Sequence, residues 1–331
     1  MPGVEPATPA RTPRDTTPGD TPLDRFGLGL AALGRPAYIN LGRDRSHPDV
    51  ATLRARARAT LDAAVDAGVR WVDAARSYGR AEEFLGGWLA DRGPDRTDGI
   101  TVSSKWGYRY TADWDPDATV HEVKEHTLPR FRTQLAETRE ILGEHLALYQ
   151  VHSLTADSPL LDDTALQAAL AGLGAEGVRV GFSTSGPDQA DVVRRGLALR
   201  VDGAPVFTAV QSTWNLLEPS VGSALVEAHD AGALVLVKEA LANGRLAVDA
   251  PGAVADAAAR HGVGPDAVAL AAALALTPAD VVLSGAADPA QLSANLAATV
   301  VDLDARERAA LEALAEEPAE YWGHRSSLPW V

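Results

Sequence analysis

The segment Arg70-Trp71-Val72-Asp73-Ala74-Ala75-Arg76-Ser77-Tyr78-Gly79-Arg80-Ala81, continuing as an apolar-polar pattern to Leu89, sets the reading of the whole chain. A short apolar run, Trp71-Val72, ends in a carboxylate, Asp73. A phenol, Tyr78, follows five residues later, Gly79 punctuates the chain, and an amphipathic helix is predicted from Ala81. Strand, acid, loop, phenol and helix form the layout expected where the C-terminal end of a strand carries chemistry.

Outward from this segment, strands and helices alternate. Strands are predicted at Leu28–Ala32, Arg70–Asp73, Ile100–Lys105, Leu146–His152, Val178–Ser183, Val206–Gln211, Leu234–Lys238 and Val281–Ser284, each followed by a helical pattern. Leu53, Ala57, Leu61, Ala64 and Val65 form one such helical stripe, closed by Gly68. Leu234-Val235-Leu236-Val237 is an uninterrupted apolar run, as a parallel strand buried on both faces requires. Eight βα units in 331 residues fit an α/β fold of one domain, a (β/α)8 TIM barrel, with an extra helix and tail at its C-terminus. A doubly wound sheet is the alternative. Tyr108–Pro116 reads as an aromatic-rich loop, and Val120–Leu142 as mostly helical with a kink or break at Pro129. Residues 1–22 are rich in Pro, Thr and Asp and read as a disordered tail, leaving 23–331 for the barrel. Gly27-x-Gly29-x-x-Ala32 matches a loose dinucleotide fingerprint, but no helix opens inside it, so a first strand is the better reading.

Bulk properties narrow the chemistry. The formal net charge of -15 argues against nucleic acid and anionic membrane as partners. The absence of cysteine excludes disulfides, thiolate catalysis and cysteine-ligated metal. No apolar run approaches a membrane span, and the N-terminus has no secretory pattern, so a cytoplasmic location is expected. His121-Glu-Val-Lys-Glu-His126 misses the same-face spacing of a zinc-binding helix and reads as a solvated face, so no metal is expected. Gly181-Phe182-Ser183-Thr184-Ser185 falls one residue short of a nucleophile elbow.

The strand ends are polar. In order they carry Asp73, Lys105, His152, Ser183, Gln211, Lys238-Glu239 and Ser284-Gly285, with Tyr78 just beyond Asp73. One polar residue at a strand end is ordinarily a turn or a helix cap. The set would bring a carboxylate, a phenol, an amine and an imidazole to one mouth, where the catalytic groups of barrels sit.

In order and context, Asp73, Tyr78, Lys105 and His152 resemble the catalytic tetrad of the aldo-keto reductase family. Asp73-Ala-Ala-x-x-Tyr78-Gly79-x-Ala-Glu82-x-x-Leu85-Gly86 resembles the family's first signature, and Ser104-Lys105-Trp106 and Gln150-Val151-His152 resemble the flanks of its other two catalytic residues. The resemblance implies reduction of an aldehyde or ketone, a small-molecule carbonyl substrate, by a nicotinamide cofactor bound without a Rossmann fold. Its chemistry is coherent. Carbonyl reduction needs an acid, and a free Tyr is too weak a one at neutral pH. Lys105 would lower the phenol's pKa, Asp73 would hold Lys105, and His152 would orient the carbonyl.

The same resemblance implies that Ser183, Thr184 and Gln211 hold the carboxamide, Thr184 standing where the family has Asn. Lys238 stands where an aromatic ring usually stacks on the nicotinamide, followed by Leu241, Gly244 and Arg245. A cation there would disfavour the oxidised cofactor and favour reduction. Gly285, Gln291 and Asn295 match the adenosine end. NADPH is implied, with NADH the alternative, because Ala287 replaces the arginine that commonly meets the 2′-phosphate; Arg245 is the candidate to compensate. Trp106, Tyr108, Trp114 and Trp214 are expected to wall the substrate pocket. Two other readings are a Schiff-base lyase or aldolase using Lys238 or Lys105, and an inactive cofactor-binding regulatory subunit.

Overall fold

The computed structural model describes residues 17–41 and 48–330. Among them, eight parallel strands close into a barrel: β1 (Phe26–Gly29), β2 (Trp71–Asp73), β3 (Thr101–Trp106), β4 (Leu146–Leu154), β5 (Arg179–Thr184), β6 (Ala209–Thr213), β7 (Leu234–Lys238) and β8 (Val281–Ser284). Each pairs with its neighbours in sequence, and β1 pairs with β8 to seal the ring. Helices connect successive strands along the outside. The doubly wound alternative is thereby excluded.

The period of two along each strand explains how packing and chemistry share the lumen. Trp71, Leu148, Ala209, Leu234, Leu236, Val281 and Leu283 form a buried cluster of their own, separate from the larger cluster between strands and helices. One inward step further along their strands stand Asp73, Gln150, Gln211 and Lys238. The apolar layer therefore forms the floor beneath the polar one. Glycines make room for it. A Cβ on Gly27 would lie 2.8 Å from Leu283 and 3.3 Å from Trp71.

The predicted helices largely form. Val50–Asp66 is capped by Asp49, whose carboxylate accepts from the Thr52 amide at 2.7 Å, and it buries the expected stripe of Leu53, Ala57, Leu61, Ala64 and Val65. The region from Tyr108 to Leu142 differs from its sequence reading. Tyr108–Tyr110 and Glu122–Lys124 pair as an antiparallel hairpin, so neither an irregular loop nor a helix from Val120 is present. The helix spans Leu128–Leu142 with Thr127 as its cap, and Pro129 lies in the first turn, where its missing amide costs nothing. Pro129 starts the helix rather than kinking it. The C-terminal segment folds back over the mouth: Pro318–Ser327 is a helix, and Trp330 forms an isolated bridge with Ile39. Of the predicted tail, residues 1–16 lie outside the described residues, and Thr21 is tied to the Asp24 carboxylate by its hydroxyl at 2.6 Å. Among the described residues, no helix is long and apolar enough to cross a membrane.

Gly181 on β5 packs directly against β6, since a Cβ there would sit 2.8 Å from the Ala209 carbonyl oxygen and 2.9 Å from the Ala209 Cβ. Gly181→Ala is expected to destabilise by about 1–3 kcal/mol through overpacking. Urea denaturation should show a lower midpoint with an unchanged slope.

Candidate active site

The floor of the site is a buried ion pair. Asp73 and Lys105, on adjacent strands, are 2% and 0% exposed, and the Lys105 Nζ donates to Asp73 Oδ2. Lys105 also donates to the Ala74 carbonyl at 3.0 Å. The other carboxylate oxygen of Asp73 accepts from Ser103 Oγ at 2.7 Å, Gln211 Nε2 at 3.2 Å and Gln150 Nε2 at 3.3 Å. All five side chains point inward because strand alternation puts them there.

Above the pair, the loop leaving β2 keeps its register with β3. The Ala74 amide donates to the Ser103 carbonyl at 2.8 Å and the Arg76 amide to the Lys105 carbonyl at 2.9 Å. This carries Tyr78 back over the lumen. The Lys105 Nζ lies 4.8 Å from the Tyr78 ring centroid, and the His152 ring meets Tyr78 edge-on at 5.4 Å. The Ser77 hydroxyl lies 3.2 Å from His152 Nδ1. Tyr108 packs against the same imidazole, with centroids 5.1 Å apart. Asp73, Tyr78, Lys105 and His152 thus come together from three strands and one loop.

Burial raises the Tyr78 pKa well above the usual phenol value, the Asp73 charge adds to this, and Arg35 opposes it. The expectation that Lys105 would leave the phenol with a lowered pKa is not met. The lysine's charge is matched by Asp73, and desolvation outweighs what remains. Burial also pushes His152 well below the usual imidazole value, with Lys105, Lys238 and Arg35 adding to the effect. His152 is therefore neutral at neutral pH. In the tautomer in which the Ser77 hydroxyl donates to Nδ1, the imidazole carries its proton on Nε2.

A cleft opens beside these groups. Asp73, Tyr78, Gln211, Lys238, Leu241, Gly244 and Gly285 line it, together with Tyr38, Asn40 and Asn243. Ser183 is fully buried, and its oxygen accepts from the Ser153 amide at 2.8 Å. Thr184 turns to Ser212 Oγ at 2.8 Å and is satisfied there. Asn295 is buried and donates to Ser284 Oγ at 2.9 Å, while Gln291 accepts from the Ala287 amide at 3.0 Å. Arg245 is engaged by both carboxylate oxygens of Glu316, one of them at 3.0 Å. Lys238 donates to Thr213 Oγ1 at 2.6 Å and lies 3.6 Å from Glu239, which is itself paired with Arg325. Burial lowers the Lys238 pKa to about 8, with Glu239 opposing the shift.

The aromatic residues expected around the substrate divide. Tyr108 stands beside His152. Trp106 is fully buried against Phe131, with centroids 5.1 Å apart. Trp114 is half-buried and donates to the Pro48 carbonyl at 3.3 Å. Trp214 lines a second, apolar cavity with Leu216, Leu303 and Leu311. His121 stacks on Trp330 at 4.3 Å, and His126 bridges Ser158 Oγ and the His152 carbonyl at 2.7 and 2.9 Å. The sequence reading missed Arg35, Tyr38, Asn40, Ser77 and Asn243. Their one signal is position, in the irregular segments that follow β1, β2 and β7.

The closed parallel barrel thus carries a buried Asp–Lys pair, a phenol and a neutral imidazole together at its C-terminal rim. The model of the aldo/keto reductase family matches residues 27–316, and the chain belongs to that family. No match is found among curated proteins. Among solved structures, the glycerol dehydrogenase AKR11B4 from Gluconobacter oxydans is similar at 22% identity and a TM-score of 0.65, over 93% of this chain and 95% of that one. The holo form of the aldo-keto reductase AKR11C1 from Bacillus halodurans is similar at 21% identity and a TM-score of 0.63, over 88% of this chain and 92% of that one. These likenesses bear on the fold.

The ion pair is stable as a pair only. Lys105→Met leaves the Asp73 carboxylate buried without its countercharge and is expected to cost about 3–5 kcal/mol. Adding Asp73→Asn should recover much of that loss. Chemical denaturation of the two single variants and the double variant checks it.

Proposed function

We propose that the protein is an NAD(P)H-dependent carbonyl reductase in which Tyr78 protonates the substrate oxygen. The observation that carries this reading is the convergence of Tyr78, His152 and the Asp73–Lys105 pair beside one cleft. Burial keeps the phenol protonated across neutral pH, so the donor form is always present. As negative charge grows on the phenol oxygen, what Asp73 leaves of the Lys105 charge, 4.8 Å from the ring centroid, works to offset it. The Nε2–H of His152 orients the carbonyl oxygen toward Tyr78. When bound, the nicotinamide supplies the hydride, which no side chain can.

Gln211 lines the cleft and gives its amide nitrogen to Asp73, leaving its Oε1 as an acceptor for a primary carboxamide. Ser183 is fully buried beside it, and its oxygen accepts from Ser153. The two residues are register partners on adjacent strands. Leu241, Gly244 and Gly285 line the same cleft, and Asn295 holds Ser284 in its wall; we assign Gln291 and Asn295 to the adenosine end by family likeness. NADPH is the cofactor we assign by family likeness, with NADH the alternative. With Arg245 held by Glu316 and Ala287 lacking a charge, the site has weak means to reward the 2′-phosphate.

Tyr78→Phe should lower reduction of 4-nitrobenzaldehyde by about 100-fold or more, while NADPH binding, followed by fluorescence, is unchanged. A near wild-type rate in that variant would overturn the assignment. Lys238 sets a second expectation. Its amine is charged below pH 8 and loses that charge as pH rises through about 8. The penalty against the positively charged oxidised nicotinamide should therefore be present at pH 6 to 7 and fade above about 8. Titration of NADP+ and NADPH across that range should show their affinities converging as pH rises, and pH-independent affinities would count against the role.

Lys238 also favours a second reading, a Schiff-base lyase, because a cleft amine with a pKa of about 8 can act as a nucleophile. Lys105, held by Asp73 and the Ala74 carbonyl, is not available for that role. The lyase reading leaves Tyr78 and His152 without work. Borohydride trapping of a substrate adduct on Lys238 would decide for it.

A further inference from the structure

Arg35 takes no part in the reading above. It lies in the irregular segment after β1 and is only 2% exposed. Its Nη1 donates to the Ser77 carbonyl at 3.1 Å and pairs with Glu122 Oε2 at 2.9 Å. Its Cζ lies 5.3 Å from the Tyr78 ring centroid, 5.0 Å from that of Tyr38 and 4.8 Å from that of Trp330. Ser77 precedes Tyr78 and is also the hydroxyl partner of His152. One buried guanidinium thus touches the loop carrying the phenol, the hairpin and the C-terminal segment. Taking an arginine fully out of water is costly. A clamp between surface segments does not require that, whereas a fixed charge at the phenol does.

We propose that Arg35 is a positioning residue for Tyr78: it grips the Ser77 carbonyl, packs over the Tyr78 ring, and its permanent charge stabilises the phenolate left after proton transfer. This rests on Tyr78 as the proton donor. The step balances. A hydride from the nicotinamide adds to the carbonyl carbon, the Tyr78 O–H bond breaks, its proton joins the former carbonyl oxygen, and a phenolate remains. A guanidinium keeps its charge at any pH where that phenol titrates. The other groups facing Tyr78 are Asp73, Glu122 and Glu239, which disfavour the phenolate, with Lys105, the neutral His152, Tyr38 and, across the same cleft, Lys238, whose charge is lost as pH rises through about 8 in every variant alike. Lys105 shares its charge with Asp73, so the balance at Tyr78 depends on Arg35 and on how closely Glu122 counters it.

The test is kcat for 4-nitrobenzaldehyde with saturating NADPH against pH. The proteins are wild type, Arg35→Met, Arg35→Lys and Glu122→Gln, with Tyr78→Phe as control. Arg35→Met removes a cation from the phenolate. The alkaline limb, where the donor is lost, should move to still higher pH or leave the assayed range, and the plateau should fall because the acid is weaker. Glu122→Gln removes an anion, so the limb should move to lower pH. Arg35→Lys should return it toward the wild-type position. Opposite displacements in the two neutral variants are the expected result. A limb that stays in place, or moves the same way in both, overturns the inference, because a purely structural clamp would give that outcome. Should circular dichroism show Arg35→Met unfolded, Glu122→Gln decides alone: a downward shift supports the inference, and an unmoved limb overturns it. Failure of the underlying reading looks different. A wild type that reduces neither 4-nitrobenzaldehyde nor other aromatic aldehydes, or a Tyr78→Phe variant near wild-type rate, removes Tyr78 as donor and the inference with it.

Discussion

The site depends on a lysine and an aspartate placed where water is excluded. Asp73 and Lys105 sit inside the barrel with their charges opposed, and the carboxylate's other oxygen is satisfied by Ser103, Gln150 and Gln211. A pair this deep is retained only when almost every lone pair and proton has a partner. That requirement reaches outward. It fixes the inward residues of β3, β4 and β6, and with them the position of Gln211 at the cleft. Trp71 on the apolar floor donates to Ser103 at 3.1 Å, so the packing layer is hydrogen-bonded to the polar one.

The mouth is completed by segments distant in sequence. The hairpin contributes Tyr108 and Glu122, the segment after β1 contributes Arg35 and Tyr38, and the C-terminus contributes Trp330. Charges tie them together. Arg325 pairs with Glu239 beside Lys238, and Arg245 pairs with Glu316, so the segment after β7 is held to the C-terminal one twice. Arg325 and Lys238 together hold the Glu239 pKa down at about 2, so this tether persists through the whole range in which the protein would be assayed.

Much of this was legible in the sequence because two periodicities carried it. The eight strands announced themselves as short apolar runs, and the polar residues at the C-terminal ends of seven of them follow from strand alternation continuing past the apolar floor. Asp73, Lys105 and His152 were found that way. Arg35 was not, because an irregular segment has no period, and nothing local distinguishes an arginine that will be buried from one that will be solvated. The hairpin was misread for a related reason. Its arms are three residues long, and the Val120–Leu142 stretch contains a true helix whose pattern was extended backwards across it. Pro129 misled further, since proline marks a helix start as readily as a break, and only the cap at Thr127 separates the two. The environment of Tyr78 was the hardest to read. Lys105 is close enough to stabilise the phenolate, but whether its charge reaches the ring depends on Asp73, which takes it, and on burial, which no local pattern reports.

The seam between β1 and β8 has a kinetic consequence. Phe26 pairs with Val282 and Gly27 with Leu283, so the ring cannot close until the two ends of the barrel's sequence meet. Pairings between such distant segments form late, because loop-closure entropy must be overcome first. Until then the lumen is open to water, and Asp73 and Lys105 remain hydrated ions on an open sheet. Closure of the seam is what takes the pair out of water, and the same closure brings the apolar floor of Trp71, Leu236 and Leu283 together.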